Sequence, residues 1–282
     1  MASSLIAVLT DFGLQDTYVG VMKGVVASIA PESRMIDLTH GIPPGDIRQA
    51  AFKLWQAVPF FPEGTIFVVV VDPGVGTRRR ALAVAWSMRL FVLPDNGLLT
   101  YLLSSSPAHK AVELSSPAFR LEPVSNTFHG RDIFAPAAAH LARGIPLDEL
   151  GPEAGELTRF ALPRLSIGEG SRIRGEILHA DRFGNLITSL GRFERVGEAL
   201  DFVPWLPHCP SASVPRKDLR LLLEDGSPLS LRETFGDVSP DTPLAYIGSE
   251  GLLEIAVNRG SAAEVLGLKA GSGVELVHEG QT

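Results

Sequence analysis

The sequence predicts a two-part α/β protein. A mostly parallel sheet with flanking helices is expected in residues 1–150, and a small antiparallel, barrel-like β domain in residues 171–282. Two observations carry that expectation. Up to residue 142, short apolar runs rich in β-branched residues alternate with segments of helical apolar spacing, the pattern of strands linked by crossover helices. Beyond residue 171 short strands punctuated by Gly, Asp, Asn and Pro take over. Between the two, residues 151–170 are rich in Gly, Pro and charge, lack periodicity, and read as a linker.

Taken in order, residues 5–9 form an apolar strand that stops at Thr10-Asp11. Val19, Met22, Val26 and Ile29 recur at helical spacing and end near Pro31. Residues 35–38 read as a strand leading into Thr39-His40-Gly41, and after the Pro43-Pro44 turn residues 46–58 carry a helix opened by the acidic Asp46. The run at 65–71 is a strand. Strands at 81–86 and 90–93, a short helix at 97–103, a strand at 111–114 and an Ala-rich helix at 132–142 follow. In the second part strands are expected at 172–180, 186–190, 219–223, 229–232, 244–247 and 252–257. Asp225-Gly226 closes a hairpin, and only residues 262–266 read as a helix.

Composition narrows the function. A chain of 282 residues has room for two cores, and a net charge of −7 without a dense basic run gives no reason to expect nucleic-acid or acidic-membrane partners. The single cysteine, Cys209, excludes an internal disulfide and fits a reducing compartment. No signal peptide is evident and no apolar stretch approaches a membrane span, so a soluble cytoplasmic protein is the expectation.

The chemistry concentrates at residues 68–80, VVVVDPGVGTRRR. An apolar strand ends on Asp72, Pro73 holds that residue extended, and Gly74 and Gly76 permit a tight turn. Ligands of open α/β sheets sit at such carboxyl ends. Asp11, Asp16 and Asp95, with His40 and His129, occupy comparable positions. Singly, such residues cap helices and brace turns, as Asp16-Thr17 and Asp95-Asn96-Gly97 are suited to do. Together at one sheet edge they point to a polar site. His129 in Phe-His-Gly-Arg-Asp reads equally as a backbone brace or a site residue, and Arg131-Asp132 as a loop ion pair or part of the site. No His-x-x-x-His or paired-Cys spacing appears, and Arg78, Arg79 and Arg80 beside Asp72 would repel a cation, so no metal is expected. Residues 74–77 lack the Gly-Lys-Ser/Thr ending of a phosphate loop.

In the second part, Asp181-Arg182-Phe183-Gly184-Asn185 is either a β-turn or a cluster of carboxylate, aromatic face and amide suited to a cationic amine and a flat base. Residues 246–251 (YIGSEG) and 258–261 (NRGS) offer backbone amides where a carboxylate would fit.

The segments TDFGLQDTYVGVMKG, IDLTHGIPPGDI, VVVVDPGVGTRRR, PDNGLLT, TFHGRDIFAPAAAHLA, DRFGNLIT and GSEGLLEIAVNRGSAAEVLGL together resemble the S-adenosyl-L-methionine hydroxide adenosyltransferases, relatives of enzymes that fluorinate or chlorinate the same substrate. The resemblance covers nearly the whole chain and is weakest in residues 151–171 and 191–217. It implies displacement at the 5′ carbon of S-adenosylmethionine by water or hydroxide, giving adenosine and L-methionine without metal or cofactor. It implies that Asp72, Arg79 and His129 surround the nucleophile and that Asp11 holds the ribose hydroxyls. Asp16 and Asp181 would take the methionine ammonium, Phe183 and Asn185 the adenine, and Ser249 the carboxylate. Glu250 stands where the halogenases carry Arg. The backbone of Asn258, Arg259 and Gly260 would meet the base edge. The halogenases have uncharged or aromatic groups in place of Asp72 and His129, and a stacking Trp in place of Ile187. The family also implies a homotrimer with sites at subunit interfaces. Two other readings compete: a sensor that binds S-adenosylmethionine or adenosine without turnover, and a metal-dependent phosphohydrolase.

Overall fold

The computed structural model describes residues 4–169 and 172–278. Residues 170 and 171, where the expected linker ends and the expected second domain begins, lie outside the described residues, as do 279–282. The chain divides into two compact units between Phe160 and Ala161.

The first unit is built on one six-stranded sheet. Its strands are β1 (Leu5–Thr10), β2 (Arg34–Thr39), β3 (Ile66–Val70), β4 (Ala81–Trp86), β5 (Arg89–Pro94) and β6 (Lys110–Glu113), in the order β2-β1-β3-β5-β4-β6. The first four neighbours pair in parallel and β4 runs antiparallel to both of its partners, so the sheet is mostly parallel as expected. Alternate side chains serve two cores. Ile6, Val8, Val68 and Val70 pack with α1 (Tyr18–Ile29) and α4 (Ala135–Ala142). Ala7, Leu9, Phe67, Val69 and Val71 pack with α2 (Ile47–Ala57) and α3 (Thr100–Ser105). A strand buried on both faces has no polar side to show, which is why residues 65–71 read as an unbroken apolar run. Asp46 caps α2 by accepting from the Gln49 N–H at 2.9 Å.

Two local departures from the expected elements have physical causes. The helix expected at 132–142 opens with a single π-helical turn, Gly130–Phe134, before α4 begins. Pro136 has no N–H to offer the Asp132 carbonyl, which instead accepts from Leu121 N at 2.8 Å. Residues 153–160, within the stretch read as a linker, extend the first unit. Ala154 N bonds Ala111 O at 2.8 Å, Thr158 N bonds Asp95 Oδ1 at 2.8 Å, and Phe160 N bonds Thr100 Oγ1 at 3.2 Å.

The second unit contains β7 (Leu165–Ile167), β8 (Ile173–Ala180), β9 (Leu186–Thr188), β10 (Phe193–Val196), β11 (Ala199–Phe202), β12 (Ala212–Pro215), β13 (Leu219–Leu223), β14 (Pro228–Arg232), β15 (Pro243–Ile247), β16 (Leu253–Val257), α5 (Ala262–Leu266) and β17 (Gly273–His278). Seven strands close into a barrel in the order β17-β13-β14-β15-β16-β9-β8, with β8 returning to β17 and β7 added at the rim of β8. Closure removes the unpaired edges a small sheet would expose. The hairpin at Asp225-Gly226 forms, with Leu221 opposite Leu229. The barrel is not wholly antiparallel: β14 and β15 pair in parallel, because residues 233–242 cross over through the short turn Phe235–Asp237 instead of folding back. Sequence reasoning missed β7, β17 and the separate three-stranded sheet β10-β11-β12.

Candidate active site

The carboxyl end of β3 is pinned before it turns: Asn96 Nδ2 donates to Val71 O at 2.8 Å. Asp72 and Pro73 follow, and the chain reverses through Thr77 N to Gly74 O at 3.2 Å. At the apex Gly76 has φ +76°, and a Cβ there would lie 2.3 Å from Asn126 O. Only glycine lets this turn close against the segment that carries His129.

That approach brings three side chains together. Arg79 Nε donates to Asp72 Oδ1 at 2.9 Å and to Oδ2 at 3.0 Å, and Arg79 Nη2 also donates to Oδ2. The same Nη2 donates to His129 Nδ1 at 2.7 Å. Side chains of Asp72 and Arg79 are only 5 % and 11 % exposed, so the pair is shielded from bulk water. The guanidinium also lies over the Phe134 ring, 5.3 Å from its centre. Of the three consecutive arginines only Arg79 enters this cluster. Arg80 pairs with Asp95, and Arg78 points to solvent.

The hydrogen bond fixes the chemistry of His129. A guanidinium cannot accept, so Nδ1 must present its lone pair and the neutral ring carries its proton on Nε2. Burial, then the Arg79 charge, push the imidazole below its ordinary value, and Asp72 and Asp132 do not offset them. The cluster is therefore a carboxylate, a guanidinium and a neutral imidazole with one N–H available.

The loop bearing His129 is braced by Asp132, whose Oδ2 accepts from Ser125 N at 2.8 Å while Oδ1 accepts from Arg131 Nε at 2.6 Å. Burial works against the charged form of Asp132, but these donors outweigh it and hold the carboxyl below its ordinary value. Arg131-Asp132 is thus the loop's own ion pair. Asp11 lies beside the Asp72 turn: its Oδ2 accepts from Gly45 N at 2.8 Å, and a Cβ on Gly45 would lie 3.6 Å from Pro73 Cβ. Asp16 is exposed and does not cap α1, whose N-cap is Thr17. His40 is buried between Thr10 Oγ1 at 2.8 Å and Asp37 Oδ1 at 3.2 Å, and Asp95 is occupied by Arg80 and Thr158, so both are structural.

A cleft of about 340 Å³ flanks this loop, lined by Phe12, Tyr18, Ser125, Thr127, Phe128 and Arg131. The rings of Phe12, Tyr18 and Phe128 meet one another with centres 5.1–6.0 Å apart. Sequence reasoning missed these aromatics, although each stands inside a motif already singled out.

In the second unit residues 181–185 form a self-braced loop. Asp181 Oδ1 accepts from Phe183 N at 2.8 Å and Asn185 N at 2.9 Å, and Oδ2 accepts from Asn185 Nδ2 at 2.9 Å. Gly184, at φ +82°, presses on Ser261, where a Cβ would lie 2.1 Å from Oγ, and Ala263 N bonds Gly184 O at 3.0 Å. The loop is thereby docked on the start of α5, with Phe183 left 77 % exposed and Asn185 buried. Burial, then the hydrogen bond and charge of Glu254, with Asp181 adding in the same direction, push up the phenol of Tyr246, which stands just before the β15–β16 turn. That turn carries Ser249, exposed, and Glu250, half-buried, and is tied by Gly251 N to Gly248 O at 2.9 Å. Asn258 spends its side chain on Val238 O at 2.7 Å, while its neighbour Arg259 is exposed at φ +61°. Ile187 is buried opposite Glu254 and His179. Asp11, Asp16, Asp72, Arg79 and His129 thus belong to the first unit, and Asp181, Phe183, Asn185, Ser249, Glu250, Asn258 and Arg259 to the second.

Among the described residues no group of three or more His, Cys, Asp or Glu side chains is placed to hold a metal ion, and no helix is long and apolar enough to cross a membrane.

Residues 6–151 match the family model for the SAM hydroxide adenosyltransferase N-terminal domain and residues 175–275 the one for its C-terminal domain. An (R)-S-adenosyl-L-methionine hydrolase of Thermus thermophilus is 45 % identical over 95 % of this chain and 98 % of its own. The enzyme of that name from Salinispora tropica is 41 % identical over 94 % of this chain and 95 % of its own. A crystal structure of an uncharacterized conserved protein from Thermotoga maritima superposes with a TM-score of 0.81 at 33 % identity, covering 97 % of this chain and all of that one.

Proposed function

Because the chain belongs to the SAM hydroxide adenosyltransferase family, we propose that it hydrolyses S-adenosyl-L-methionine to adenosine and L-methionine. The observation that carries this reading is the Asp72–Arg79–His129 cluster, a shielded set of groups able to orient and deprotonate one water.

Attack by that water forms the O–C5′ bond as the C5′–S bond breaks. The electron pair leaves with sulfur, so methionine departs as a neutral thioether and needs no acid. The demand falls on the nucleophile, because bulk water is weak and must lose a proton. His129 Nδ1 is held by Arg79, so His129 serves by donating from Nε2 to the water oxygen. Asp72 accepts three N–H bonds from Arg79 and a carboxylate has about four lone-pair sites, which leaves one to receive the proton. Arg79 stabilises hydroxide character beside it. A charged nucleophile meeting a sulfonium cation cancels charge, which a water-poor site favours.

The remaining assignments follow the family pattern. Asp11 holds the ribose, Asp16 and Asp181 the ammonium, Phe183 and Asn185 the adenine, and Ser249 the carboxylate. With the Asn258 side chain committed to Val238, the base edge falls to the backbone at Arg259. The protein is a cytoplasmic homotrimer with sites shared between subunits, and it works without metal or cofactor.

The test is incubation with S-adenosylmethionine in H₂¹⁸O followed by mass spectrometry. Adenosine carrying one ¹⁸O in its 5′ hydroxyl, with equimolar methionine and an unchanged rate under chelator, is expected. Intact substrate recovered after long incubation would instead identify a sensor. Light scattering reads the oligomeric state.

A further inference from the structure

The second unit contains a concentration of positive charge that the hydrolysis reading leaves unused. A cavity of about 200 Å³ is lined by Arg195, Arg216, Arg220 and Arg232, with Asp218 and Glu233 as the acidic members of its wall. Four guanidinium groups against two carboxylates stand out in a chain whose net charge is −7.

The topology explains how they converge. In β13, Leu219, Leu221 and Leu223 point into the barrel, so Arg220 points out; its partner Ser230 shares that outer face with Arg232, two residues along β14. The opposite wall comes from the three-stranded sheet. Arg195 lies across from Leu200, and Arg216 follows Val214 by two positions, which puts both on the face that buries Phe193, Leu200, Phe202 and Val214. Arg195 and Arg216 both pair with Glu233, so a single carboxylate is shared between two cations. Each wall thus brings two guanidinium groups to one small hollow. The guanidinium groups outnumber the two carboxylates of the lining, so an anion added to Asp218 and Glu233 lowers the mutual repulsion of the cations.

We propose that this cavity is a binding site for a small phosphate-bearing anion, inorganic phosphate or pyrophosphate. Guanidinium forks match phosphate oxygens in bidentate geometry. The volume lies below the roughly 300–1,000 Å³ typical of drug-sized ligands, which suits a compact anion. Glu233 acts as a placeholder: an arriving phosphate takes over the Arg195 and Arg216 donors that the carboxylate otherwise holds.

The proposal stands apart from the hydrolysis reading, and calorimetry tests it without reference to turnover. The full chain is titrated with sodium pyrophosphate, phosphate and malonate at fixed ionic strength. Saturable pyrophosphate binding at one site per chain is expected, weakened at least tenfold in the Arg220→Gln/Arg232→Gln double variant. Glu233→Gln should tighten it several-fold, a direction opposite to that of generic damage. Single Arg220→Gln and Arg232→Gln variants, checked by circular dichroism, cover the case in which the double variant fails to fold. Absence of saturable heat, indifference to the arginine substitutions, or weakening in Glu233→Gln would overturn the site. Malonate binding as tightly as pyrophosphate would overturn the phosphate assignment. A raised KM for S-adenosylmethionine in Arg232→Gln would overturn its separateness by assigning the arginines to the substrate carboxylate.

Discussion

Arg79 Nη2 donates to His129 Nδ1 across 2.7 Å while the same guanidinium grips both oxygens of Asp72. One side chain therefore holds the Asp72 carboxylate in place and fixes the tautomer of His129. The consequences are open to measurement.

Acid should switch the enzyme off through His129. Its folded-state pKa lies below the ordinary 6.5, so the ring is neutral at pH 7 and gains a proton only as pH falls past that value. Protonated Nδ1 would confront Arg79 and break the contact. A kcat profile should be flat above about pH 6.5 and fall below it. In the same window the unfolded chain binds the proton more readily, so stability should also drop as pH falls. A rate that rises with acid would contradict the neutral ring.

Arg79→Lys should be nearly as damaging as Arg79→Gln. Lysine keeps the charge but loses the fork that spans Asp72 and His129. A fall of roughly 10²–10³-fold in kcat with little change in KM is expected, read by adenosine release under saturating substrate. A lysine variant near wild-type rate would reduce the role of Arg79 to charge alone.

Removing the imidazole donor should cost less than removing the acceptor of the proton. His129→Ala should lower kcat by about 10²-fold and Asp72→Asn by about 10⁴-fold, the two ends of the range for positioned proton-transfer groups. The reverse ranking would make His129 the base.

Gly76→Ala should damage the site from a distance. The residue sits at φ +76° with its missing Cβ only 2.3 Å from Asn126 O. About 1–3 kcal/mol of destabilisation is expected from backbone strain alone. Thermal unfolding measures that loss, and a kcat deficit persisting well below the melting point would report displacement of the His129 loop.

Asp181 should prove to be an organiser before it is a ligand. Asp181→Ala leaves the Phe183 N–H to water and strands the Asn185 N–H, an unmet donor worth about 1–3 kcal/mol when buried. The expected result is a raised KM together with faster amide exchange at 183–185. A raised KM with unaltered exchange would point to direct ammonium contact alone.

The first unit was largely legible because its signals are local. Residues 65–71 announce a doubly buried strand, Asp46 announces a cap, and both stand where expected. The second unit was read less completely. Strands β10 to β12 are short and half polar, Glu194, Arg195 and Val196 being exposed, so no apolar alternation marks them. The parallel pairing of β14 with β15 depends on the path of residues 233–242, which no pattern within either strand encodes.

By itself the amino-acid order determined that Asp72 ends a buried strand at a glycine turn, and that a histidine and several arginines are available to it. Without the family resemblance, which points to Arg79, it could not say which arginine turns inward, since three identical side chains in a row differ only in where the backbone aims them. Nor could it give the imidazole a tautomer, because that follows from what Nδ1 touches fifty residues away in the chain. Those choices belong to the closing of the Gly76 turn against Asn126, a contact between distant segments, and only the folded chain makes it.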